Sequence, residues 1–351
     1  MTDLFRSALG YLSGGQNERG SEFVGQLVEL GKMKLKVKRI IAEGRSLYFF
    51  LKFFHCFVVF ILAKAPPTYS FCYVFLGIQN CQGFSKTSSL VSFISRLLAN
   101  DDEKSKAILR EITTLKKLTG HANIVQFYAA ASIGKEESDH GQSEYLLLME
   151  YCSKGQLVDV LANKQVPLTC NEILPVFYQT CRAVAHMHSQ NPPMIHRDLK
   201  LENLLISSNG LIKLCDFGST TNKSHQPDET WTSLKRNVVE DEICSQTTPM
   251  YRPPEVLDLY LNFPINEAMD VWALGCTLFL LCYGFHPFED SAKLRILNAN
   301  YTIPETDREY VVLHDLIRAM LQVNPNDRPP LTVILAQLQE IGLPESAMKT
   351  P

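Results

Sequence analysis

The chain has 351 residues, of which 46% are hydrophobic and 20% charged, and its formal net charge is -3. This length and apolar content suffice for one large domain or for two lobes with cores of their own. The near-neutral charge gives no electrostatic signal for binding nucleic acid or an anionic membrane. The ten cysteines form no CxxC pair and no cluster at metal-ligand spacing, which is typical of reduced thiols in a cytosolic protein.

The first part of the chain shows mostly strand-like patterns. Residues 1–22 mix Gly, Ser, Asn and Glu, which predicts a flexible leader, and they lack the apolar core of a secretory signal. Residues 23–44 alternate apolar and basic residues, which predicts a strand. Residues 101–118 have apolar residues three to four apart after an acidic start, which predicts a helix. The stretches "NIVQFYAAASI" and "SEYLLLMEYC" are predicted as two further strands.

After Gly155 the apolar pattern becomes helical over long spans. Four segments are predicted as helices, at 171–190, 270–284, 310–323 and 331–342. A strand-rich first part therefore precedes a helix-rich second part.

Five short motifs in the second part carry the chemistry. They are "MIHRDLKLENLLI" (194–206), "LIKLCDFGS" (211–219), "TTPMYRPPEV" (247–256), "DVWALG" (270–275) and "NPNDRPP" around Arg328. Each has a structural alternative when taken alone: Asp198 as a turn residue, Asp216 as a loop cap, Lys200 as a solvated charge. Their joint occurrence in this order favours a single functional site.

The five motifs resemble those of eukaryotic protein kinases. Longer stretches, such as "FYQTCRAVAHMH" and "LYLNFPINEAMDVWALGCTLFLLCYG", are similar to the serine/threonine kinases associated with clathrin adaptors, over 23–44 and 96–343. The resemblance implies an α+β fold with a β-rich N-lobe at 23–150, a helical C-lobe at 151–343 and a tail at 344–351. It also implies transfer of phosphate from ATP with Mg²⁺ to protein substrates, namely clathrin-adaptor subunits in vesicle traffic. The expected location is cytoplasmic, at clathrin-coated vesicles or the perinuclear Golgi region.

The resemblance assigns roles to five residues of the C-lobe. Phosphoryl transfer needs an acceptor for the substrate hydroxyl proton and oxygen ligands for Mg²⁺. Asp198 is expected to orient the hydroxyl, and Lys200 to neutralise the transferring phosphoryl group. Asn203 and Asp216 are expected to bind the metal. Thr248 is expected to line the substrate site.

Further residues are assigned to nucleotide binding by the same resemblance. Met149 is expected at the gatekeeper position, and the backbone groups of Glu150 and Cys152 are expected to bond adenine. Leu205 would pack below the base, and Glu111 would pair with a strand lysine. The structural alternative for the stretch around Met149 is a half-buried edge strand.

Three residues are expected to support the scaffold rather than to react. Glu255 and Arg328 are predicted to form a buried ion pair, because buried charges are normally paired. Asp270 is predicted to brace the loop around Arg197.

Residues 45–95 depart from the kinase pattern. Gly44 matches the first glycine of a phosphate-binding loop, but no G-x-G-x-x-G follows it. Ser95, sixteen residues before Glu111, stands where the strand lysine is expected. Lys64 is a poor substitute, because two prolines follow it and end any strand there.

The apolar run Leu47–Ala63 allows three interpretations. A membrane anchor is disfavoured, because Lys52 lies inside the run and the basic residues before it would place the kinase lobe on the side away from ATP. A divergent strand pair would fill the sheet. Translated non-coding sequence, such as a retained intron, agrees best with the abrupt edges of the block. The loss of the loop and the lysine also raises the alternative of a catalytically impaired binding module.

Overall fold

The computed structural model describes residues 27–30, 33–40, 75–79, 91–136, 138, 141–164 and 166–343. The predicted leader (1–22), Gly44, the run Leu47–Ala63, Lys64 and the tail (344–351) lie outside these residues. The chain divides into two compact units, the first comprising residues up to Gly120 together with Val125–Gly155. The second comprises His121–Ile124 and the residues from Gln156 onward.

The first unit contains a six-stranded antiparallel sheet. Its strands are β1 (Leu27–Leu30), β2 (Met33–Ile40), β3 (Phe75–Gln79), β4 (Val91–Ala99), β5 (Phe127–Ile133) and β6 (Ser143–Glu150). They are ordered β1-β2-β3-β4-β6-β5 across the sheet. The strands expected in "NIVQFYAAASI" and "SEYLLLMEYC" are confirmed as β5 and β6.

The predicted strand at 23–44 is confirmed as β2, but the structure adds β1 before it. The two strands form a hairpin in which Leu30 pairs with Met33. Both arms of a hairpin carry the same alternating pattern, so the pattern alone did not show where the chain reverses.

The described residues of the anomalous block lie in the same sheet. β3 pairs with β2 and with β4, and β4 pairs with β6 from Ser92–Glu150 to Ala99–Ser143. This arrangement is the one that a divergent strand pair would form. The ladder requires only backbone N–H and C=O groups, so it does not report on the origin of the block, which stays a prediction.

The helix predicted at 101–118 is confirmed as α1 (Asp102–Leu118). Asp101 caps it by accepting a hydrogen bond from the Lys104 N–H at 2.7 Å. Its apolar face packs against the sheet in one cluster with β4 and β6. The cluster contains Leu97, Ala99, Ile108, Tyr145 and Leu147.

The second unit is mainly helical. Its helices are α2 (Leu157–Ala162), α3 (Cys170–His188), α4 (Ser233–Ser245), α5 (Pro254–Leu257), α6 (Ala268–Tyr283), α7 (Lys293–Leu297), α8 (His314–Met320) and α9 (Leu331–Gly342). The short strands β7 (Leu204–Ile206) and β8 (Ile212–Leu214) form an antiparallel pair. The predicted helices at 171–190, 270–284, 310–323 and 331–342 are confirmed as α3, α6, α8 and α9. Helix α8 is shorter than predicted, because a 3-10 turn occupies Val311–Leu313.

Helix α6 forms the centre of this unit. It is buried on nearly every side, with Trp272 and Phe279 fully enclosed, as expected for a helix that is apolar all round. It ends at Gly284, whose φ of 76° is a left-handed conformation that glycine adopts without strain. Among the described residues, no helix has both the length and the apolarity that a membrane span requires.

Candidate active site

The β7–β8 hairpin brings two predicted metal ligands close together. Asn203 directly precedes β7, and Asp216 follows β8 by two residues. Leu204 pairs with Leu214, so the flanking residues meet across the hairpin. The Cys215 N–H donates to the Asn203 carbonyl at 3.0 Å, and the Cys215 thiol donates to the same oxygen at 3.3 Å. Asn203 and Asp216 are therefore held close together.

Three predicted residues form a closed hydrogen-bonded set. Lys200 Nζ lies 2.7 Å from Asp198 Oδ2 and 3.0 Å from Thr248 Oγ1. The Thr248 hydroxyl donates to Asp198 Oδ1 at 2.6 Å. Asp198 and Thr248 are fifty residues apart, so the fold rather than the local sequence brings them together. Each oxygen of the Asp198 carboxylate therefore accepts a hydrogen bond, which fixes the orientation of the side chain.

The donor set around Asp198 suits a hard cation. The Asn203 Nδ2 group donates to the Asp198 carbonyl at 2.8 Å, which leaves the amide oxygen for a ligand. Asp216 is exposed, and its φ of 62° is unusual for a residue with a side chain. Mg²⁺ commonly takes one or two protein oxygens and completes its shell with phosphates and water. In the described part of the chain, no three His, Cys, Asp or Glu residues form a site that could hold a metal on their own.

Asp270 on α6 braces the loop before Asp198, as predicted. Its Oδ2 accepts from the His196 N–H at 2.8 Å and from His188 Nε2 at 2.9 Å. Its Oδ1 accepts from the Arg197 N–H at 3.0 Å. Burial disfavours the charged form, but these hydrogen bonds and the nearby histidines hold the pKa of Asp270 below its usual value. The loop is therefore fastened to the most buried helix of the unit.

The predicted Glu255–Arg328 ion pair is confirmed. Arg328 Nη1 and Nη2 each lie 2.7 Å from one Glu255 oxygen, and both side chains are fully buried. Arg328 also donates to three backbone carbonyls, those of Ala268, Gln322 and Val323. Every charged group of the pair therefore has partners, as buried charges require.

The predicted adenine-binding stretch lies at the end of β6 in the first unit. The Glu150 N–H donates to the Gln126 carbonyl at 2.8 Å, and the Gly155 N–H donates to the Cys152 carbonyl at 3.1 Å. Met149 is half-buried against the α1 cluster. These contacts show a strand end followed by a turn, and the bonds to adenine stay a prediction.

The other predicted nucleotide-site residues are divided between the two units. Glu111 lies half-buried on α1. Ser95 lies on β4, where it pairs in register with Leu147 of β6. Leu205 is half-buried on β7, in the second unit, and forms an isolated bridge with Gln156. Gly44 lies outside the described residues.

Two features of the second unit were missed by sequence reasoning. His188, at the end of α3, donates to Asp270, and no motif indicated this role. Helix α4 lies in a segment for which no helix or strand was predicted. Thr232, which caps α4, and the spacing of Val239 and Ile243 were the signals that could have identified it.

The arrangement can perform one kind of chemistry well. Asp198 can accept a hydrogen bond from a hydroxyl that takes the place of Thr248 Oγ1. Lys200, at hydrogen-bond distance from Asp198, can stabilise negative charge that develops beside that hydroxyl. Asn203 and Asp216 can hold a divalent cation and its phosphates nearby. These groups are the ones that the transfer of a phosphoryl group to a hydroxyl requires.

Comparison with known proteins agrees with this geometry. The family model described as "Protein kinase domain" matches residues 86–338. A probable serine/threonine-protein kinase of Dictyostelium discoideum is 41% identical over 276 residues, covering 76% of this chain and 23% of the relative. The actin-regulating kinase of Saccharomyces cerevisiae is 35% identical over 255 residues, covering 72% of this chain and 30% of the relative.

The chain thus spans about a quarter to a third of the length of these curated relatives. The family match begins at residue 86, inside the block that departs from the motif pattern, and continues through the second unit. It covers well over half of the chain. The chain therefore belongs to the protein kinase family, with the two-lobed α+β fold of that family.

Proposed function

We propose that this protein transfers the γ-phosphate of ATP, with Mg²⁺, to serine or threonine hydroxyls of protein substrates. The observation that carries the proposal is the hydrogen-bonded set of Asp198, Lys200 and Thr248. A lysine two residues after the aspartate supplies positive charge beside the acceptor hydroxyl. Asn203 and Asp216 add the oxygen ligands that the metal requires.

The proposed substrates are clathrin-adaptor subunits in vesicle traffic. The proposal is supported by stretches such as "LYLNFPINEAMDVWALGCTLFLLCYG", which resemble cyclin-G-associated kinase. The proposed location is cytoplasmic, at clathrin-coated vesicles or the perinuclear Golgi region. The yeast relative is named for regulating actin, and that description belongs to the relative.

A second candidate function is a binding module with impaired catalysis. Ser95 occupies the strand position at which the resemblance expects a lysine, and no G-x-G-x-x-G follows Gly44. A lysine there would hold the α- and β-phosphates. The loss of one preorganised electrostatic contact commonly lowers turnover by roughly 10²–10³. The second unit keeps its motifs and would still fold and bind partners.

Thermal shift with ATP·Mg²⁺ and phosphate transfer to an adaptor peptide distinguish the two candidates. A kinase is stabilised by the nucleotide and labels the peptide, and Asp198→Asn abolishes the labelling. A binding module shows neither effect. Complete inactivity of the chain without stabilisation would reject the kinase proposal for this chain.

Ser95→Lys provides a gain-of-function test of the same question. If the missing lysine limits turnover, this variant should raise labelling of the peptide by at least about tenfold. Ser92→Lys is the matched control, because it makes the same change on the same strand at a position of opposite parity. Equal labelling by both variants would show that the lysine is not the limiting feature.

A further inference from the structure

The C-terminal end of α4 is capped by side chains that follow it in the chain, close to Thr248. The last four carbonyls of an α-helix have no partner of the regular helical kind, and they need other donors. In α4 the Thr247 hydroxyl donates to the Ile243 carbonyl at 3.0 Å. The Arg252 guanidinium donates to the Cys244 carbonyl at 2.8 Å through Nη2. The two capping residues therefore stand on either side of Thr248.

The Arg252 side chain closes the segment around Thr248 into a loop. Its Nε donates to the Thr247 hydroxyl oxygen at 3.0 Å, and its Nη2 donates to the Thr247 carbonyl at 3.1 Å. The backbone N–H of Arg252 donates to the Pro249 carbonyl at 3.2 Å, at the end of a short 3-10 turn. One side chain thus returns from the end of this turn to Thr247, and Thr248 lies within the loop that it closes.

The chemistry of the two capping residues suits these contacts. The Thr247 side chain is 9% exposed, and its hydroxyl satisfies itself as a donor to Ile243 and as an acceptor from Arg252. The acceptors of the Arg252 side chain are neutral oxygens, two of them backbone carbonyls. A cation is favoured beside the last carbonyls of a helix, where the helix dipole is negative. The planar guanidinium reaches several acceptors in fixed directions, which a lysine ammonium does not.

The position of Thr248 depends on this loop. Its hydroxyl lies 2.6 Å from Asp198 Oδ1 and 3.0 Å from Lys200 Nζ. Its carbonyl accepts from the Tyr251 N–H at 3.0 Å, which is the first bond of the 3-10 turn. Hydrogen bonds to a hydroxyl are lost when the oxygens separate beyond about 3.5 Å, so a shift of about 1 Å at Thr247 would break the contact with Asp198.

We infer that Arg252, acting through Thr247, is a positioning residue for Thr248. Its guanidinium fastens Thr247 to the end of α4 and so sets where the Thr248 hydroxyl meets Asp198. The cap is a property of the second unit alone. Its importance for phosphate transfer rests on the function proposed above.

Hydrogen exchange tests the inference without requiring catalytic activity. In Arg252→Gln, the Tyr251 N–H that bonds the Thr248 carbonyl should exchange about tenfold faster than in the parent chain. Arg252→Lys keeps a cation beside the helix end and loses the planar fork, so it should restore only part of the protection. Arg295→Gln is the matched control, because Arg295 also donates to two backbone carbonyls of the second unit.

A double-mutant cycle tests whether Arg252 acts through Thr247. Thr247→Val keeps the shape of the side chain and removes the hydroxyl that Arg252 contacts. If the two residues form one cap, the double variant should accelerate exchange at Tyr251 by less than the product of the two single effects. Effects that multiply would overturn the inference, because Arg252 would then act independently of Thr247.

Kinetics add a readout that a merely structural role would not move. If the chain labels an adaptor peptide, Arg252→Gln should lower kcat for the peptide by about tenfold and leave the KM for ATP unchanged. An unchanged kcat in an active chain, or equal exchange in Arg252→Gln and Arg295→Gln, would overturn the inference. Faster exchange throughout α3 and α6 would also overturn it, because the effect would then be global unfolding. The expected exchange pattern without any phosphate transfer would reject only the proposed function.

Discussion

Replacing Asp270 with asparagine should destabilise the second unit by several kcal/mol, although the two side chains have the same shape. The carboxylate accepts three hydrogen bonds, two at Oδ2 and one at Oδ1. An amide has only one accepting oxygen. If its NH₂ group replaces Oδ1, it faces the Arg197 N–H. If it replaces Oδ2, it faces the His196 N–H, so either orientation leaves at least one buried donor without an acceptor.

The magnitude follows from these contacts. A buried donor without an acceptor costs about 1–3 kcal/mol. The remaining bonds also lose the strength that the negative charge gave them, so we expect about 3–5 kcal/mol in total. For a unit of this size, that loss lowers the melting temperature by roughly 10 °C. The lowered pKa of Asp270 stabilises the fold above about pH 4, and this contribution is lost as the pH falls further and the carboxylate takes up a proton. The asparagine variant has no carboxylate here, so it should not show this acid-induced loss of stability.

Urea denaturation of the full chain measures this cost. Asp315→Asn is the matched control, because Asp315 is 99% exposed and pairs with a largely exposed arginine. A difference between the two variants below about 1 kcal/mol would refute the reasoning, since it would mean that the three acceptor bonds do not support the loop.

Three other predictions concern the second unit. Glu255→Gln should cost about 3–5 kcal/mol, because it leaves the fully buried Arg328 without its counter-charge, and urea denaturation measures it. Burial lowers the pKa of His286 to about 4, so the unfolded chain binds more protons than the folded chain between about pH 4 and 6.5. The free energy of unfolding should therefore rise with pH by about 3 kcal/mol over that window. His286→Phe should remove this rise from the plot of stability against pH. Gly275→Ala should cost about 1–3 kcal/mol, since its Cβ would lie 2.9 Å from Leu321 Cδ2, and thermal melting measures it.

Each of these predictions has its own counter-result. Removal of the exposed Asp290 charge beside Arg295 serves as the control for Glu255→Gln, and equal effects would mean that burial does not decide the energy. If the free energy of unfolding of His286→Phe depended on pH as steeply as that of the parent chain, the pH dependence would have to come from other histidines. A stabilised Gly275→Ala variant would mean that the neighbouring leucine moves aside freely.

Local pattern predicted some of the regular elements, among them β2, β5 and β6. Periodicity identified α1, α3, α6 and α9, because each buries one face or all faces in a core that the sequence already marks. The motifs also identified Asp198, Asn203 and Asp216 before their contacts were known. Each of them stands in one of the short motifs at 194–206 and 211–219, so a short stretch of sequence is enough to recognise it.

Contacts between distant residues could not be predicted in the same way. Glu242 follows Arg197 by forty-five residues, and Thr248 follows Asp198 by fifty. Nothing in a charged, exposed residue such as Glu242 distinguishes it from its acidic neighbours until α4 is placed. The family resemblance supplied Thr248, whereas Glu242 required the structure.

The backbone pairing of β3 and β4 shows how differently architecture and chemistry depend on sequence. A sheet accepts almost any residue, because every residue except proline presents the same two hydrogen-bonding groups. Phosphate binding in protein kinases depends on one lysine side chain, and the resemblance expects that lysine at the position of Ser95. Replacing residues 45–95 by another segment of strand-forming sequence would therefore change this one side chain and keep the sheet. It would keep the backbone ladder of the sheet while changing whether a lysine stands at position 95.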